Sequence, residues 1–294
     1  MIAARLILVL TLCPVIFSQD GYVKLARSLL KEGDAEAAHL VAEICRGIWD
    51  KKQELADLSQ TCAKKLANQK HAGKRDISDV CKKLAAQFKK RKGGSLKDQV
   101  HARLLEYMGD FLKAYRLLNN YRRSVGLNPV AFDYAASYGC MLHARYLALN
   151  GYANIGNWKN FHDEDPANEF YTTEGQKAAQ KSDISHQNIV ESIHTWVDTY
   201  YHRIPIFQPN LKFVGMGTWQ KSALDYHTSC LDIISGVDWA LDYNKVIIYP
   251  YDGQDNVPIR FNPTGEVPSP VPEINAANLG YPITMAFYAR PNID

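Results

Sequence analysis

Residues 160–175 read NFHDEDPANEFYTTEG and set one histidine, His162, among five carboxylates: Asp163, Glu164, Asp165, Glu169 and Glu174. An imidazole beside carboxylates can ligate a divalent cation, or act as a general base oriented by its acid. Pro166, Asn168 and Gly175 interrupt any regular helix, so the stretch reads as loop. Loops carry solvated charge as a matter of course, and they also carry binding and catalytic groups held by a rigid scaffold. The stretch is therefore either a wet acidic loop or half of a site whose other half lies downstream.

Other chemistry-bearing residues are sparse. The run HTWVDTYYH sets His194 and His202 eight residues apart. On one helix they would point about 80° apart and stand two turns apart in height, too far to share an ion. His143 falls in an apolar helical pattern and reads as a hydrogen-bonded packing residue. His194 reads as a partly exposed helix residue and Trp196 as core. Neither HExxH nor Gly-x-Ser-x-Gly occurs, and Ser182, Ser185 and Ser192 lack the context of an activated nucleophile.

The elements that must position these residues fall into two kinds. Residues 21–115 show apolar positions at helical spacing, with Gly33-Asp34 and Gly109-Asp110 as interruptions. Asp34 is a natural N-cap, which predicts a hairpin of helices over 22–31 and 35–49. The phase match between the two interrupted stretches faintly resembles a tetratricopeptide helix pair; a plain helical bundle is the alternative. Gly93-Gly94 is the best local breaker. Beyond Arg116 the helical pattern continues to Tyr152, split at Gly126 and Pro129. A further helix is expected over about 188–201, closed by Pro205 and Pro209. Strand-like runs then follow in FVGMGTW, DYHTSCLDII, KVIIYP and ITMAFYA, with a proline-rich connector between the last two. Helices first and strands after indicate α+β.

Composition bounds the class. The chain has 294 residues, 46% of them apolar, and is rich in Tyr, with 17 against 10 Phe. Residues 1–18 carry Arg5, an apolar stretch from Leu6 to Phe17 and a small Ser18, the pattern of a cleaved signal peptide. The stretch is short for a membrane span. Export to the periplasm or the extracellular space is expected, with no transmembrane span after cleavage. Cys45, Cys62, Cys81, Cys140 and Cys230 follow the leader, with no CxxC pair. In an oxidising compartment one or two disulfides are expected, their pairing unreadable. Residues 19–115 hold 20 Lys and Arg against 13 Asp and Glu, whereas 116–294 hold 13 against 18. That asymmetry points to two modules. The run Lys89–Lys92 reads as a solvated helix end, or as a contact for an anionic envelope surface. Nucleic acid is excluded by export and by the lack of interleaved aromatics.

Four pieces in order carry a resemblance. They are Asn119 to Arg122, Gly126 to Pro129, His143-Ala144, and the series Trp196, Thr199, His202-Arg203, Pro209 and Val214 to Gly217. Together they resemble the CAP or SCP domain (cysteine-rich secretory proteins, antigen 5, pathogenesis-related 1), in its bacterial-type branch. The resemblance implies an α-β-α sandwich, here preceded by an all-helical, basic N-terminal region. The expected organisation is a signal peptide over 1–18, the helical region over 19–110 and the CAP-like domain over 111–294.

The resemblance also implies a cleft holding two histidines and two acidic residues. By motif these are His162, Glu174 and His202, with the fourth place at Thr199 and its acidic neighbour Asp198. Thr199 departs from the family's acidic pattern. Two imidazoles and one carboxylate suit Zn²⁺ or another divalent cation, so His162, His202 and Glu174 are the candidate metal ligands. The expected function is an exported binding module whose ligand is a divalent ion, a lipid, another small molecule or a partner protein. A metal-assisted hydrolase using the same residues, and a structural envelope protein acting through its basic helices, are the alternatives.

Overall fold

The structure, a computed structural model, describes residues 19–49, 53–66, 68, 76–91, 94–151, 161–222, 225–240, 245–263, 266, 269–272 and 279–288. The signal peptide expected over 1–18 lies outside the described residues. Among the described residues no helix is long and apolar enough to cross a membrane. The chain divides into two compact units, Met1–Arg116 and Leu117–Asp294.

The first unit is all-helical. Helices α1 (Gln19–Lys31) and α2 (Ala35–Ile48) form the predicted hairpin. Gly33 closes α1 with φ 84°, and the Asp34 carboxylate accepts from Ala37 N at 3.1 Å. That cap satisfies one of the first-turn amides that a helix leaves unpaired. Helices α3 (Gln53–Leu66), α4 (Ser78–Arg91) and α5 (Leu96–Glu106) follow, with Ser95 capping α5. Helix α6 (Met108–Ser124) begins one residue after α5 ends, so the break falls at Tyr107 rather than at Gly109-Asp110. Gly109 lies inside α6, at a point where Ser78 leaves no room for a side chain. A Cβ there would meet Ser78 Oγ at 2.3 Å. Leu29, Leu40, Ile44, Leu55, Leu66 and Phe111 are fully enclosed in this unit. Lys89, at the start of the basic run, pairs with Glu106 at 2.8 Å.

The second unit is the α-β-α sandwich. Its four-stranded sheet has the order β1 (Ala131–Phe132), β3 (Phe213–Trp219), β4 (Thr228–Asp232), β2 (Ser182–Ser185). The β1–β3 pair is parallel and the other two pairs are antiparallel. Helix α7 (Tyr134–Asn150) packs against β3 and β4 and against the short α8 (Thr173–Ala179). Helix α9 (Ile189–Asp198) packs on β4 and β3, and α10 (Tyr200–Ile206) follows it. A separate ladder joins β5 (Val246–Tyr249) to β6 (Thr284–Phe287).

The motif residues prove to be structural fasteners. Asn119 accepts from Val130 N at 2.8 Å and donates to Val130 O at 3.3 Å. Arg122 is fully buried and donates to the carbonyls of Asn128, Ile206 and Gln208 at 3.0, 2.6 and 3.1 Å. Gly215 and Gly217 lie on the face of β3 that α7 covers. A Cβ on Gly217 would sit 2.2 Å from the Cys140 backbone, and one on Gly215 would sit 2.4 Å from that of Ala136. Two residues apart on a strand means one face, so this pair lets the helix backbone lie directly on the sheet.

The expected disulfides are absent: Cys45, Cys62, Cys81, Cys140 and Cys230 are buried free thiols. Burial raises Cys62 to about 11 and Cys81 to about 12, so these two groups are protonated and act as small apolar residues. A unit of this size closes a core without covalent staples.

Candidate functional site

The helix expected over 188–201 is two helices. Asn188 caps α9, accepting from Val190 N and Glu191 N at 3.1 and 3.0 Å. The chain then turns extended at Thr199, with φ −93° and ψ 163°, and restarts as α10. This break puts His202 in the first turn of a new helix. Thr199 Oγ1 donates to Trp196 O at 3.0 Å and faces His202 Nδ1 at 2.9 Å. A hydroxyl that spends its one proton on a carbonyl must accept at the second contact, so His202 Nδ1 carries a proton. That ties Thr199 to the site as an orienting group. Asp198 points elsewhere, accepting from Tyr281 Oη at 2.7 Å.

The carboxylates that act on His202 are Glu266 and Asp183. Glu266 Oε1 lies 3.6 Å from His202 Nδ1 and also accepts from Tyr201 N. Asp183 lies on β2, and its charge reaches both His202 and Glu266. All three groups are titrated by their setting. For His202, burial opposes the charged ring, but the nearby Glu266 carboxylate and the charge of Asp183 outweigh it and raise its pKa. Burial would push Glu266 up, but His202 and the amides of Tyr201 and Tyr200 hold it below the usual carboxylate range. Asp183 is pushed up to about 7, chiefly by burial; His202 pulls it down and Glu266 pushes it further up. The pattern is a histidine raised and a carboxylate lowered by one another, His202 and Glu266, beside an Asp183 carboxyl raised by burial.

One oxygen of each acid has nothing to bond. Asp183 Oδ2 and Glu266 Oε2 are buried and lack a hydrogen-bond partner among the described residues. Buried carboxylate oxygens without partners are costly, and an ion or an ordered water is among the groups that satisfy them.

His162 lies within electrostatic reach of His202. Its Nδ1 lies 3.0 Å from Ala179 O at the end of α8. A carbonyl only accepts, so Nδ1 donates, and Nε2 of the neutral ring carries the lone pair. Burial lowers the His162 pKa; the Ala179 carbonyl opposes this, and the His143 and His202 charges add to it. The ring thus stays neutral within electrostatic reach of His202.

Glu174 is placed differently. It is exposed on the first turn of α8, and its charge acts on Tyr138. The buried acid of the opening loop is Glu164, read from sequence as wet rim but only 2% exposed. Glu164 Oε1 lies 2.9 Å from His143 Nδ1, and Oε2 accepts from Thr172 N at 3.0 Å. The other nitrogen of His143 donates to Phe161 O at 2.8 Å. Gly175 belongs to this contact, since a Cβ there would lie 2.4 Å from Glu164 Oε1. His143 is thus the hydrogen-bonded packing residue that its apolar helix predicts. Asp163, Asp165 and Glu169 stay exposed, as a wet rim should.

The donor chemistry of His162, His202, Asp183 and Glu266 suits a divalent cation: two imidazoles, two carboxylates and two unpaired oxygens. Among the described residues no three His, Cys, Asp or Glu groups stand close enough to form a closed metal sphere.

Sequence reasoning missed Asp183 and Glu266. Asp183 lies in a four-residue polar strand, SDIS, whose burial comes from pairing with β4. Glu266 sits in the proline-rich connector, 64 residues beyond His202. No local pattern marks either one.

The family described as CAP, the cysteine-rich secretory protein family, matches residues 115–232. That span includes His162, Asp183 and His202 and excludes Glu266. No curated protein and no solved structure matches the chain. The sandwich, the Asn119 and Arg122 fasteners and the family match together identify residues 115–232 as a CAP/SCP domain.

Proposed function

We propose that this CAP domain is an exported binding module that takes a divalent cation at His162, His202, Asp183 and Glu266. The observation that carries the reading is the pair of buried, unpartnered oxygens, Asp183 Oδ2 and Glu266 Oε2, on the two acids whose charges act on His202. A cation would satisfy both and take lone pairs from Nε2 of each imidazole, since the Nδ1 protons are committed to Thr199 and to Ala179. Binding would then release protons from His202 and Asp183. Thr199 keeps His202 turned toward the acids, and Ala179 keeps His162 in the tautomer with its lone pair on Nε2. The apolar leader over 1–18 supports export, and the motif spacing supports the bacterial-type branch.

Titration of the full chain with Zn²⁺ tests this. Wild type is expected to bind at least ~10-fold tighter than His162→Ala/His202→Ala, with proton release measured in buffers of different ionisation enthalpy. Equal affinity in the two proteins contradicts the site. Turnover of peptides or esters that the double variant loses would move the reading to a metal-assisted hydrolase.

A further inference from the structure

The ladder of β5 and β6 is apolar on both faces. Ile247 and Tyr249 point inward and are buried, with the Tyr249 and Phe207 ring centroids 5.1 Å apart. Val246, Ile248, Met285 and Phe287 alternate with the buried positions and point outward. The register sets Val246 beside Phe287 and Ile248 beside Met285, so the four form one two-by-two patch. Ile283 continues the spacing of β6 two residues earlier. All five are 45 to 77% exposed. A sheet face turned to water is ordinarily polar. Here no outward position of the ladder carries a charge or a hydrogen-bonding side chain.

Area, shape and charge say what covers it. At these exposures the five residues offer roughly 500 Å² of apolar surface. That is near the top of what a monomer shows, and two such faces together bury roughly 1,000 Å², where specific interfaces begin. The patch also matches itself. A two-fold axis running along the strands between two facing ladders sets Val246 of each copy over Phe287 of the other, and Ile248 over Met285. Small meets large in the first contact and equal sizes meet in the second, as in sheets whose side chains interdigitate. Charge disfavours the other apolar layer open to an exported protein, a bilayer with anionic lipids. Residues 117–294 hold 12 Lys and Arg against 18 Asp and Glu, so such a surface repels this unit. Lys245, which precedes Val246, is tied to Gly126 O at 2.5 Å.

We propose that the outer face of β5 and β6 is a dimerisation surface, covered by the same face of a second copy of this chain. The contact itself is neutral, while the two units repel through their net charge. Added salt should therefore tighten the dimer. The proposal does not depend on the reading of His162 and His202, since neither lies on the ladder.

Sedimentation velocity of the full chain from about 1 to about 100 µM tests this. A monomer–dimer equilibrium with its Kd inside that range is expected. Met285→Asp/Phe287→Asp should stay monomeric throughout, with its melting transition retained because both side chains are exposed. Tyr226→Asp, which changes an exposed residue outside the ladder, should dimerise like wild type. So should His162→Ala/His202→Ala. Mixing reads the arrangement: Val246→Lys and Phe287→Glu should each be monomeric alone and dimerise together, because the two-fold axis sets the new charges opposite one another. No dimer in the mixture overturns that arrangement. A wild type that is monomeric at about 100 µM overturns the proposal, as does a dimer that survives in Met285→Asp/Phe287→Asp. A wild type that stays monomeric but floats with phosphatidylcholine vesicles, and loses flotation in that variant, would overturn it in favour of a bilayer.

Discussion

The second unit holds two histidine–glutamate contacts, and they differ in what is left over. At His143–Glu164 every polar atom has a use: Phe161 O and Glu164 take the two ring nitrogens, while Thr172 N takes the second carboxylate oxygen. At His202–Glu266 the contact is longer, a second acid stands by, and one oxygen on each acid is orphaned. The same residue types make a fastener in one place and an unfinished site in the other. The first ties α7 to the loop that carries His162 and to the start of α8. It gives the second a fixed position for His162. A buried ion pair adds little by itself, but removing one partner is severe because it strands the other.

That contrast sets the order of expected effects. The largest should come from Glu164→Ala. It strands His143 Nδ1 and the Thr172 amide, and it opens a space beside Gly175. A loss of roughly 3–5 kcal/mol in urea unfolding is expected; a loss below about 1 kcal/mol would put His143–Glu164 outside the fastener class.

Next comes Asp183→Asn, which should stabilise. The folded-state pKa of about 7 lies above the ordinary aspartate value of 3.8. The folded protein therefore holds a proton that the unfolded chain has lost, and stability falls as pH rises from about 4 through 7. His202, also raised, contributes in the same direction as pH climbs past its folded value. Wild type should melt lower at pH 8 than at pH 6.5. Asp183→Asn should raise the pH 8 stability by on the order of a few kcal/mol, flatten that slope and weaken Zn²⁺ binding. A variant less stable than wild type at pH 8 would show that Asp183 has a partner in solution. The smallest effect belongs to Glu174→Ala, which should leave Tm and Zn²⁺ affinity unchanged because the side chain is exposed. Loss of Zn²⁺ binding there would return Glu174 to the site.

What the sequence made legible was mainly local. The cap at Asp34, the glycine spacing of β3 and the strand runs of β3 to β6 each rest on chemistry within a few residues. His162 and His202 were found through motif context. Glu164 was not, because Asp163, Glu164 and Asp165 look alike in a charged loop. Only the fold decides which one turns in to meet His143. Asp183 and Glu266 required long-range closure, one by β2–β4 pairing and one by a connector returning to α10. The break at Thr199 carries no Gly or Pro, so periodicity read α9 and α10 as one helix. Gly109 showed the reverse error: a helix-weakening residue inside a helix, where Ser78 leaves no room for a side chain.

The most direct test follows the imidazole nitrogens of the full chain by ¹⁵N NMR as Zn²⁺ is added. If one contact is sealed and the other unfinished, His162 and His202 should shift with Zn²⁺, whereas His143 does not respond to the metal. A His143 signal that moves with Zn²⁺, or His162 and His202 signals that do not, would contradict the account.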